Sequence, residues 1–518
     1  MQAFNLIKER HGDVLPHFYD WQYDWDKYYE DPAVWDEICT GHNIGSFQIE
    51  TSNLRSLVKR FQPRSLEDLS TMIAVCRPGI TRSTDEETGL NLLELYLQKR
   101  EGRRPVGYKH PALKKVLGNT YGTFIYQEQI MQVCVELAGY SLAETDRVRK
   151  ILGKMLLDKM KQERVIFVKG CLDNDVDEHL ANSVFDEMQS FGVYGFNKSH
   201  SYGYAMVGYW CAYLKHYFPK EFMTALFQTN PVMSVTYTRE ARRMGIPVLG
   251  PDINESGSSF TLTKSDSIRY GLSSVKFVSS GASTLQELGP FEDMKDFVSR
   301  VPSRKINKRA AVALIKCGVF DSMCGDSRKA LREYWDARGD WKALDKQCPS
   351  TCEYCHGKLL GFDCYADLQE EIGSRGKHEQ ELLGTLISVD PLGDYVSLIA
   401  EEENFPGESN MFTGEKARLG GLVTKVKTLV TKRGKNPGAE MCQLWLELPT
   451  QSDMEDELND EEEEVKERDD SIQLVAFPEA YAKYKNLLEV GSPVLVTVEK
   501  LSSGLQLKDL FRLDILKS

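Results

Sequence analysis

The segment YGFNKSHS, residues 194–201, is the most informative stretch of this 518-residue sequence. Gly195 is followed by a short run of polar residues that suit phosphate binding: Asn197, Lys198, Ser199 and His200. The apolar and aromatic residues after them predict a helix from Ser201 to Tyr217. Because a helix N-terminus offers unpaired N–H groups and the positive end of the helix dipole, the segment predicts a phosphate-binding corner. On this segment alone, an Asn cap beside a solvated Lys is the simpler interpretation.

A second basic segment, RVRKILGKM at residues 147–155, lies in another predicted helix. Arg147, Lys150 and Lys154 are spaced to share one helix face, whereas Arg149 lies off that face. The same spacing predicts that three apolar residues face the core: Val148, Ile151 and Leu152. A basic helix face is usually solvated surface, but the presence of two such segments favours a site for phosphate groups.

Helical periodicity surrounds both segments, from Leu54 to Gln228. One predicted helix carries an apolar stripe that should face the core: Ile130, Val133, Cys134 and Leu137. The predicted helices are Gln127–Tyr140, Thr145–Leu152, Asp158–Leu172, Glu178–Gln189, Ser201–Tyr217 and Lys220–Gln228. The first fifty residues, rich in aromatic residues and Asp, indicate a linker that packs on something and is not a closed domain. The pattern therefore predicts a large α-helical domain.

Shorter elements follow Pro231. Phe260–Thr263 and Ile268–Leu272 alternate like a small hairpin, and two further helices are predicted at Lys305–Val319 and Asp326–Asp345. The C-terminal stretch predicts the strands of a small OB-type Greek-key β-barrel: Leu419–Leu429, Cys442–Leu448, Ile472–Phe477, Pro493–Glu499 and Gly504–Leu510. The fold class predicted for the whole chain is multidomain α+β.

The net charge of −13 is unevenly distributed. Between Asp453 and Asp470, twelve acidic residues stand against Lys466 and Arg468, so this stretch holds −10 and the other 500 residues only −3. We expect the acidic run to be a solvated loop. Local basic patches, not the net charge, should then decide the partners.

The sequence has no membrane or export signature. No apolar run reaches the roughly 18 residues that cross a bilayer, and the N-terminus MQAFNLIKERHG is charged too early for a secretory signal. Eight of the twelve cysteines are scattered in apolar or helical contexts, as in a reducing compartment. We therefore expect a cytoplasmic protein without a membrane partner.

The other four cysteines cluster in CPSTCEYCHGKLLGFDC, residues 348–364. They follow the spacing C-x3-C-x2-C-x8-C and are Cys348, Cys352, Cys355 and Cys364. Two close thiolate pairs can complete a tetrahedral Zn²⁺ site, so the segment predicts a structural zinc. Four reduced surface cysteines are the alternative, although exposed free thiols seldom lie so close together.

The two basic segments belong to a series of ten sequence blocks that follow one another in a fixed order. They are FQIET (47–51), RPG (77–79), YQEQIMQV (126–133), AGYSLAETDRVRKILGKM (138–155), YGFNKSHS (194–201), YLKHYFPKEFMTAL (213–226), GPDINES (250–256), KINKRAAVALIKCGVFD (305–321), HEQELLGTLISVDPLGDY (378–395) and LGGLVTKVKTLVTKRGK (419–435). In order and spacing, these blocks resemble the C-terminal portion, from fingers to OB-fold, of C-family replicative DNA polymerases, the bacterial DNA polymerase III alpha subunits. The resemblance runs from about residue 30 to the end.

The resemblance implies roles for individual residues. Arg149 and Lys150 occupy the basic pair that faces the triphosphate of the incoming nucleotide in the fingers domain, and Lys154 follows them. The residues that take the places against the nucleotide are Asn197, Lys198, Ser199 and His200. A planar His beside the sugar would exclude a 2′-hydroxyl by sterics. Arg77, in the RPG block, is a further candidate for nucleic-acid contact.

The resemblance also implies what must come from elsewhere. Phosphoryl transfer needs carboxylates that hold two Mg²⁺ ions, and in the family these lie in the palm, upstream of the first block found here. We expect the Asp pairs that are present to be solvated: Asp24, Asp26, Asp173, Asp175 and Asp177. The expectation is a split polymerase half, inactive alone, that binds primer-template DNA and deoxynucleotides beside a palm- and thumb-bearing chain.

The implied domain division has five parts. They are 1–52, linker and end of palm; 53–230, helical fingers; 231–325, little finger with a helix-hairpin-helix-like unit; 326–409, helical connector with the zinc-binding insertion; and 410–518, OB-fold barrel with the acidic loop 453–470. KFVSSGAS, residues 276–283, replaces the usual glycine-rich first hairpin, and no clear sliding-clamp peptide stands in the connector. Basic residues on one strand pair of the barrel should bind single-stranded DNA: Lys425, Lys427, Lys432, Arg433 and Lys435.

Two other functions remain open at this point. One is a non-catalytic DNA-binding protein or replisome adaptor derived from a polymerase. The other is a structural adaptor that recruits partners through the zinc segment and the barrel. Lys198, His200 and the Arg149–Lys150 pair favour the polymerase half, because a tether has no need of a nucleotide pocket.

Overall fold

The computed structural model describes most of the chain, in two compact units, Met1–Ala225 and Leu226–Ser518. The described residues are 1–15, 29–76, 90–153, 157–192, 195–339, 372–388, 395, 398–399, 402–404, 411–431, 438–448, 471–488, 492–502 and 504–513.

The first unit is helical. Its helices are α1 (Gln2–His11), α2 (Pro32–Cys39), α3 (Ser52–Phe61), α4 (Leu66–Val75), α5 (Leu92–Arg100), α6 (Pro111–Leu117), α7 (Gln127–Ala138), α8 (Leu142–Gly153), α9 (Leu157–Asp173), α10 (Glu178–Gly192) and α11 (Lys198–Tyr217). Helix α12 (Pro219–Thr229) crosses the boundary between the units. The large helical domain predicted from periodicity is confirmed for the described residues.

One core of this unit lies where α7, α8, α9 and α10 pack. The stripe predicted on α7 is buried, as Ile130, Val133, Cys134 and Leu137 are at most 1% exposed. On α8 the predicted apolar residues are buried too: Val148, Ile151 and Leu152. Gly139 ends α7 with φ of 69°, a left-handed conformation that costs glycine little. The 3.6-residue period of the apolar residues therefore predicted the buried faces of α7 and α8 correctly.

A second core lies between α4 and α11, together with residues of α2, α3 and α5. Its largest fully buried side chains include Trp35, Tyr126 and Tyr209. Polar contacts also cross it, since the Ser70 and Ser201 hydroxyl oxygens lie 2.8 Å apart, and Ser70 lies 3.2 Å from the Tyr126 hydroxyl. This core fixes the first turn of α11 against α4.

The second unit begins with α13 (Ser234–Arg243) and a small three-stranded sheet. Strand β3 (Ile268–Arg269) pairs antiparallel with β2 (Thr261–Leu262), which confirms the predicted hairpin, and parallel with β1 (Val248–Leu249), which was not predicted. Helices follow: α14 (Ala282–Leu288), α15 (Met294–Arg300), α16 (Lys308–Lys316), α17 (Asp321–Cys324), α18 (Ser327–Arg338) and α19 (Ile372–Leu382). Helix α18 ends seven residues before the predicted Asp345, because Gly339 turns left-handed at its C-cap.

The last part of the chain forms a closed five-stranded barrel. Its elements are β4 (Lys416–Val430), β5 (Glu440–Glu447), β6 (Ser471–Ala476), α20 (Pro478–Tyr484), β7 (Pro493–Leu501) and β8 (Gly504–Arg512). The strand order around the barrel is β4-β5-β6-β8-β7, antiparallel throughout except for the β6–β8 pair. All five predicted strands are present, so the mixed α+β class is confirmed. In the described part of the chain, no helix is long and apolar enough to cross a membrane.

Candidate functional site

Helix α11 begins at Lys198, three residues before the start that the sequence predicted. The reason is the cap: Asn197 is extended, and its Oδ1 accepts a hydrogen bond of 2.8 Å from the backbone N–H of His200. Lys198, Ser199 and His200 therefore lie in the first helical turn, not in a loop ahead of it. The Asn cap that the sequence left as the simpler interpretation is present.

Backbone donors at this helix start are already bonded. The Lys198 N–H donates to Glu128 Oε2 at 2.9 Å, and the His200 N–H donates to Asn197. Two of the donors that the sequence led us to expect as unpaired are thus satisfied within the chain. The groups on offer to a ligand are side chains: Lys198 is 39% exposed, and His200 is exposed as well.

The start of α7 holds the segment in place. Phe196 pairs with the residues before α7, donating its N–H to Ile125 O at 3.0 Å and accepting the Gln127 N–H at 2.8 Å. The Lys198 ammonium lies 5.4 Å from the centre of the Tyr126 ring. Gly195 is needed for this approach, since a Cβ there would lie 2.9 Å from Gln127 Cγ. Gly195 therefore serves close packing at this point.

The second basic segment meets the same helix start. Arg149 on α8 donates to Gln127 Oε1 at 3.3 Å, and Asn197 donates from Nδ2 to Glu128 Oε1 at 2.9 Å. Gln127 and Glu128 are neighbours in the first turn of α7, so one turn of helix contacts both basic segments. The structure therefore brings both basic segments to the first turn of α7, Arg149 through its side chain and Lys198, 49 positions later in the sequence, through its backbone N–H.

Each basic side chain has a carboxylate partner. Lys198 Nζ lies 2.8 Å from Glu67 Oε1, and Asp146 lies 2.7 Å from Arg149 Nη2 and 2.6 Å from Lys150 Nζ. The hydrogen bonds from Lys150 and then Arg149 lower the pKa of Asp146 below its usual value. Two carboxylates thus contact three cations, so the charge of this cluster is only partly neutralised.

These carboxylates do not form a Mg²⁺ site. Glu67, Glu128 and Asp146 are each engaged by a cation or an N–H group. Among the described residues, no group of three or more His, Cys, Asp or Glu side chains is placed to hold a metal ion.

A row of aromatic rings, which was not predicted from the sequence, extends from the same turn: Phe196, His200, Tyr204 and Phe47. The His200 ring centre lies 5.7 Å from that of Phe196 and 4.0 Å from that of Tyr204. Tyr204 in turn meets Phe47 edge-on at 5.1 Å. Spacing of four residues between Phe196, His200 and Tyr204 was the available signal. The row fixes the plane of the imidazole.

Arg147 has a structural partner. Its guanidinium donates twice to the buried Glu163 of α9, from Nε at 3.1 Å and from Nη2 at 3.0 Å. The Tyr140 hydroxyl also donates to Glu163, at 3.0 Å. Arg147 thus braces α8 against α9, whereas Arg149 and Lys150 contact the start of α7 and Asp146.

Several predicted site residues lie outside the described residues. They are Arg77, Lys154, the cysteine cluster Cys348, Cys352, Cys355 and Cys364, the barrel residues Lys432, Arg433 and Lys435, and the acidic run 453–470. Their roles stay predictions from the sequence.

In the second unit, Lys425 and Lys427 are exposed on the outer face of β4. Lys425 pairs in register with Trp445, and its Nζ lies 4.8 Å from the centre of the half-buried indole ring. Inward-facing neighbours of Trp445, Leu444 and Leu446, are fully buried. Trp445 is therefore a surface residue of the barrel, not part of its core.

The replaced hairpin KFVSSGAS is closely packed in this unit. Gly281 approaches the following turn so tightly that a Cβ would lie 2.4 Å from Ile306 Cδ1. The Arg309 guanidinium carbon lies 3.7 Å from the centre of the Phe277 ring, which is 43% exposed. Basic side chains thus stand at the start of α16 beside the hairpin.

By fold and site, this is a multidomain α+β protein whose helical unit gathers basic side chains around one helix start and whose second unit ends in a small barrel. A sequence profile described as the bacterial DNA polymerase III alpha subunit finger domain matches residues 2–175, and a helix-hairpin-helix motif profile matches residues 245–331. Arg149 and Lys150 fall inside the first match, and Asn197–His200 fall outside it.

Curated relatives match over most of this chain. The DNA polymerase III alpha subunit of Thermus aquaticus is 33% identical over 462 residues, which are 84% of this chain and 36% of the relative. That of Aquifex aeolicus is 32% identical over 443 residues, 83% of this chain and 35% of the relative. That of Pasteurella multocida is 29% identical over 524 residues, 94% of this chain and 42% of the relative. The chain belongs to the family of bacterial DNA polymerase III alpha subunits. It spans only 35–42% of the length of these three relatives.

Proposed function

We propose that this chain binds the incoming deoxynucleotide and the primer-template during template-directed DNA synthesis, and that a palm outside these 518 residues supplies the catalytic carboxylates. The observation that carries the proposal is the convergence of Arg149 and Lys198 on the first turn of α7, through Gln127 and Glu128. Two segments far apart in sequence thus contact the same turn of α7, and each carries cations of the kind that bind phosphate oxygens.

In this proposal the triphosphate replaces the internal carboxylates. Lys198 leaves Glu67 to bind a phosphate oxygen. Arg149 and Lys150 likewise leave Asp146 to bind phosphate oxygens. His200 lies beside the sugar, with its ring plane held by Phe196 and Tyr204. Mg²⁺, held by the palm, would activate the primer 3′-hydroxyl and stabilise the leaving pyrophosphate.

The second unit is proposed to hold nucleic acid. We assign residues 231–325 to a little finger whose helix-hairpin-helix contacts duplex backbone, and 410–518 to an OB-fold that binds single strands. Supporting the second assignment are the closed five-stranded barrel and the exposed Lys425 beside Trp445. The divisions 1–52, 53–230 and 326–409, and a zinc ion on Cys348, Cys352, Cys355 and Cys364, remain part of the same proposal.

The alternative is a polymerase-derived adaptor that binds DNA without using nucleotide. It shares the barrel and the helix-hairpin-helix, so DNA binding alone does not separate the two functions. Nucleotide binding does, because an adaptor has no use for Lys198, Arg149 and Lys150 at one site.

Primer extension tests the proposal. The chain alone, with primer-template, deoxynucleotides and Mg²⁺, should extend nothing, and adding a purified palm- and thumb-bearing fragment of a family member should restore extension. Robust synthesis by the chain alone would contradict the external palm. DNA binding by both proteins without extension in any mixture would favour the adaptor.

A further inference from the structure

We infer that Glu128 is a positioning residue for the nucleotide site, and that it acts by holding the backbone and cap from which Lys198 projects. The inference rests on the proposed function and deepens it. Glu128 was not itself assigned to the nucleotide from the sequence, and it lies in α7, not in either basic segment.

The geometry gives Glu128 two bonds to adjacent residues. Oε1 accepts from Asn197 Nδ2 and Oε2 accepts from the Lys198 N–H, both at 2.9 Å. Asn197 uses its other side-chain atom, Oδ1, to cap His200 N. One carboxylate therefore fixes the cap residue, and the cap residue fixes the start of α11, where Lys198 and His200 stand.

A long Lys side chain gains from such a support. A Lys side chain loses conformational entropy when it binds a phosphate. That loss is smaller when the backbone that carries the side chain is already held in place. The Lys198 ammonium lies over the Tyr126 ring only while its own backbone stays against the start of α7. Loss of Glu128 would free that backbone without removing any cation.

Simple Coulomb repulsion predicts the opposite sign. A carboxylate near a triphosphate repels it, so on charge alone removing Glu128 would tighten nucleotide binding. Positioning predicts weaker binding. Glu67 is the matched control, because it meets the same Lys198 at Nζ instead of at the backbone and competes directly with phosphate.

The test is titration of the full 518-residue chain with dATP and Mg²⁺ by calorimetry. Glu128→Ala should raise the dissociation constant about tenfold, the effect of one charge-assisted hydrogen bond. Glu128→Gln should raise it by about threefold, since its amide oxygen still accepts from the Lys198 N–H but its NH₂ group cannot accept from Asn197. Glu136→Ala, on the far end of α7 where Glu136 pairs with Lys115, should leave it unchanged.

Two further readouts separate positioning from general stability. Hydrogen exchange of the Lys198 amide should be faster in Glu128→Ala and unchanged in Glu136→Ala. In a Lys198→Ala background, Glu128→Ala should cost much less affinity, because the side chain that it positions is gone.

The outcomes distinguish the inference from the proposed function. Wild-type affinity or tighter binding in both Glu128 variants would overturn the inference while leaving nucleotide binding in place. Wild-type chain that binds no dATP would overturn the proposed nucleotide site, and the positioning role with it. Equal losses from Glu128→Ala with and without Lys198 would assign Glu128 to general folding.

Discussion

Arg147 and Glu163 join helices α8 and α9 through two hydrogen bonds, 3.1 Å from Nε to Oε2 and 3.0 Å from Nη2 to Oε1. Glu163 is only 3% exposed, so its carboxylate depends on this partner and on the Tyr140 hydroxyl. Arg147→Met should lower the free energy of unfolding by about 2 kcal/mol, because a buried carboxylate loses its charge-assisted bonds. Urea denaturation measures this.

Nucleotide affinity gives the second part of the Arg147 test. Arg147→Met should leave the dissociation constant for dATP nearly unchanged below the unfolding transition, since in the proposed site Arg149 and Lys150, and not Arg147, contact the triphosphate. Lys161→Met, an exposed cation on the same helix as Glu163, is the stability control. A large loss of affinity with normal stability would place Arg147 in the site instead.

The ion pair between Glu67 and Lys198 should oppose nucleotide binding. At 2.8 Å, with the two side chains 34% and 39% exposed, it resembles a surface pair worth up to about 1 kcal/mol. Glu67→Gln should therefore tighten dATP binding by up to about fivefold, because phosphate no longer competes for Lys198 Nζ. Calorimetric titration at low salt measures it. Weaker binding of dATP by this variant would show instead that Glu67 positions the Lys198 side chain for the nucleotide.

Lys198→Ala and Lys150→Ala should each impair nucleotide use in the enzyme reconstituted with a palm-bearing fragment. Each removes a charge-assisted phosphate contact worth about 1.5–3 kcal/mol, or roughly ten- to a hundredfold in apparent KM or rate. DNA affinity without nucleotide should change little. Lys161→Met serves as the matched cation control. Normal extension by both alanine variants would move the nucleotide site elsewhere.

Local periodicity was enough to predict the helices between Gln127 and Gln228 and the buried faces of α7 and α8, but α1 and α2 lie in the first fifty residues, which were expected to be a linker. The apolar stripe Ile130, Val133, Cys134 and Leu137, and the strands of the barrel, follow from side-chain spacing alone. The start of α11 was placed three residues late because the sequence showed an Asn among several polar residues, and only the bond from His200 N identifies Asn197 as the cap.

Long-range partners could not be read from the chain. Nothing near Lys198 in sequence indicates that Glu67 and Glu128 approach it, since these contacts depend on how α4 and α7 pack against α11. For the same reason spacing grouped Arg147 with Lys150 and put Arg149 off their face, although Arg147 binds Glu163 of α9, and Arg149 and Lys150 share Asp146. Residue spacing predicts which face of a helix a side chain lies on. Which residues that face contacts depends on how the helices pack.

The cysteine cluster should bind zinc. Metal analysis of the purified chain should find about one Zn²⁺ per molecule, lost in Cys352→Ser or Cys355→Ser, because a tetrahedral site needs all four thiolates. Cys442→Ser, a buried cysteine of the barrel, is the control that should keep the metal. Metal-free protein that folds and binds DNA normally would leave four reduced surface cysteines as the interpretation.

The barrel should bind single-stranded DNA through its phosphates. Lys425 and Lys427 are exposed on the outer face of β4, and Lys425 lies beside Trp445, which offers a ring for a base to stack on. Each phosphate contact releases condensed counterion, so affinity should fall with a log–log salt slope of about −0.7 per contact. Fluorescence titration of the full chain with oligonucleotides at two salt concentrations measures this slope.

Substitution on one strand locates that binding. The pair Lys425→Gln and Lys427→Gln should flatten the slope by about 1.4 and weaken all sequences alike, because phosphates have no base identity. Lys416 is exposed at the other end of β4 and is the control. Lys416→Gln should change the slope much less if the single strand binds at the Trp445 end of the barrel. Trp445→Ala should weaken binding by about 1–3 kcal/mol without changing the slope, since stacking releases no counterion. A slope that neither lysine nor tryptophan variants alter would mean that DNA binds elsewhere and that this face of the barrel meets a protein.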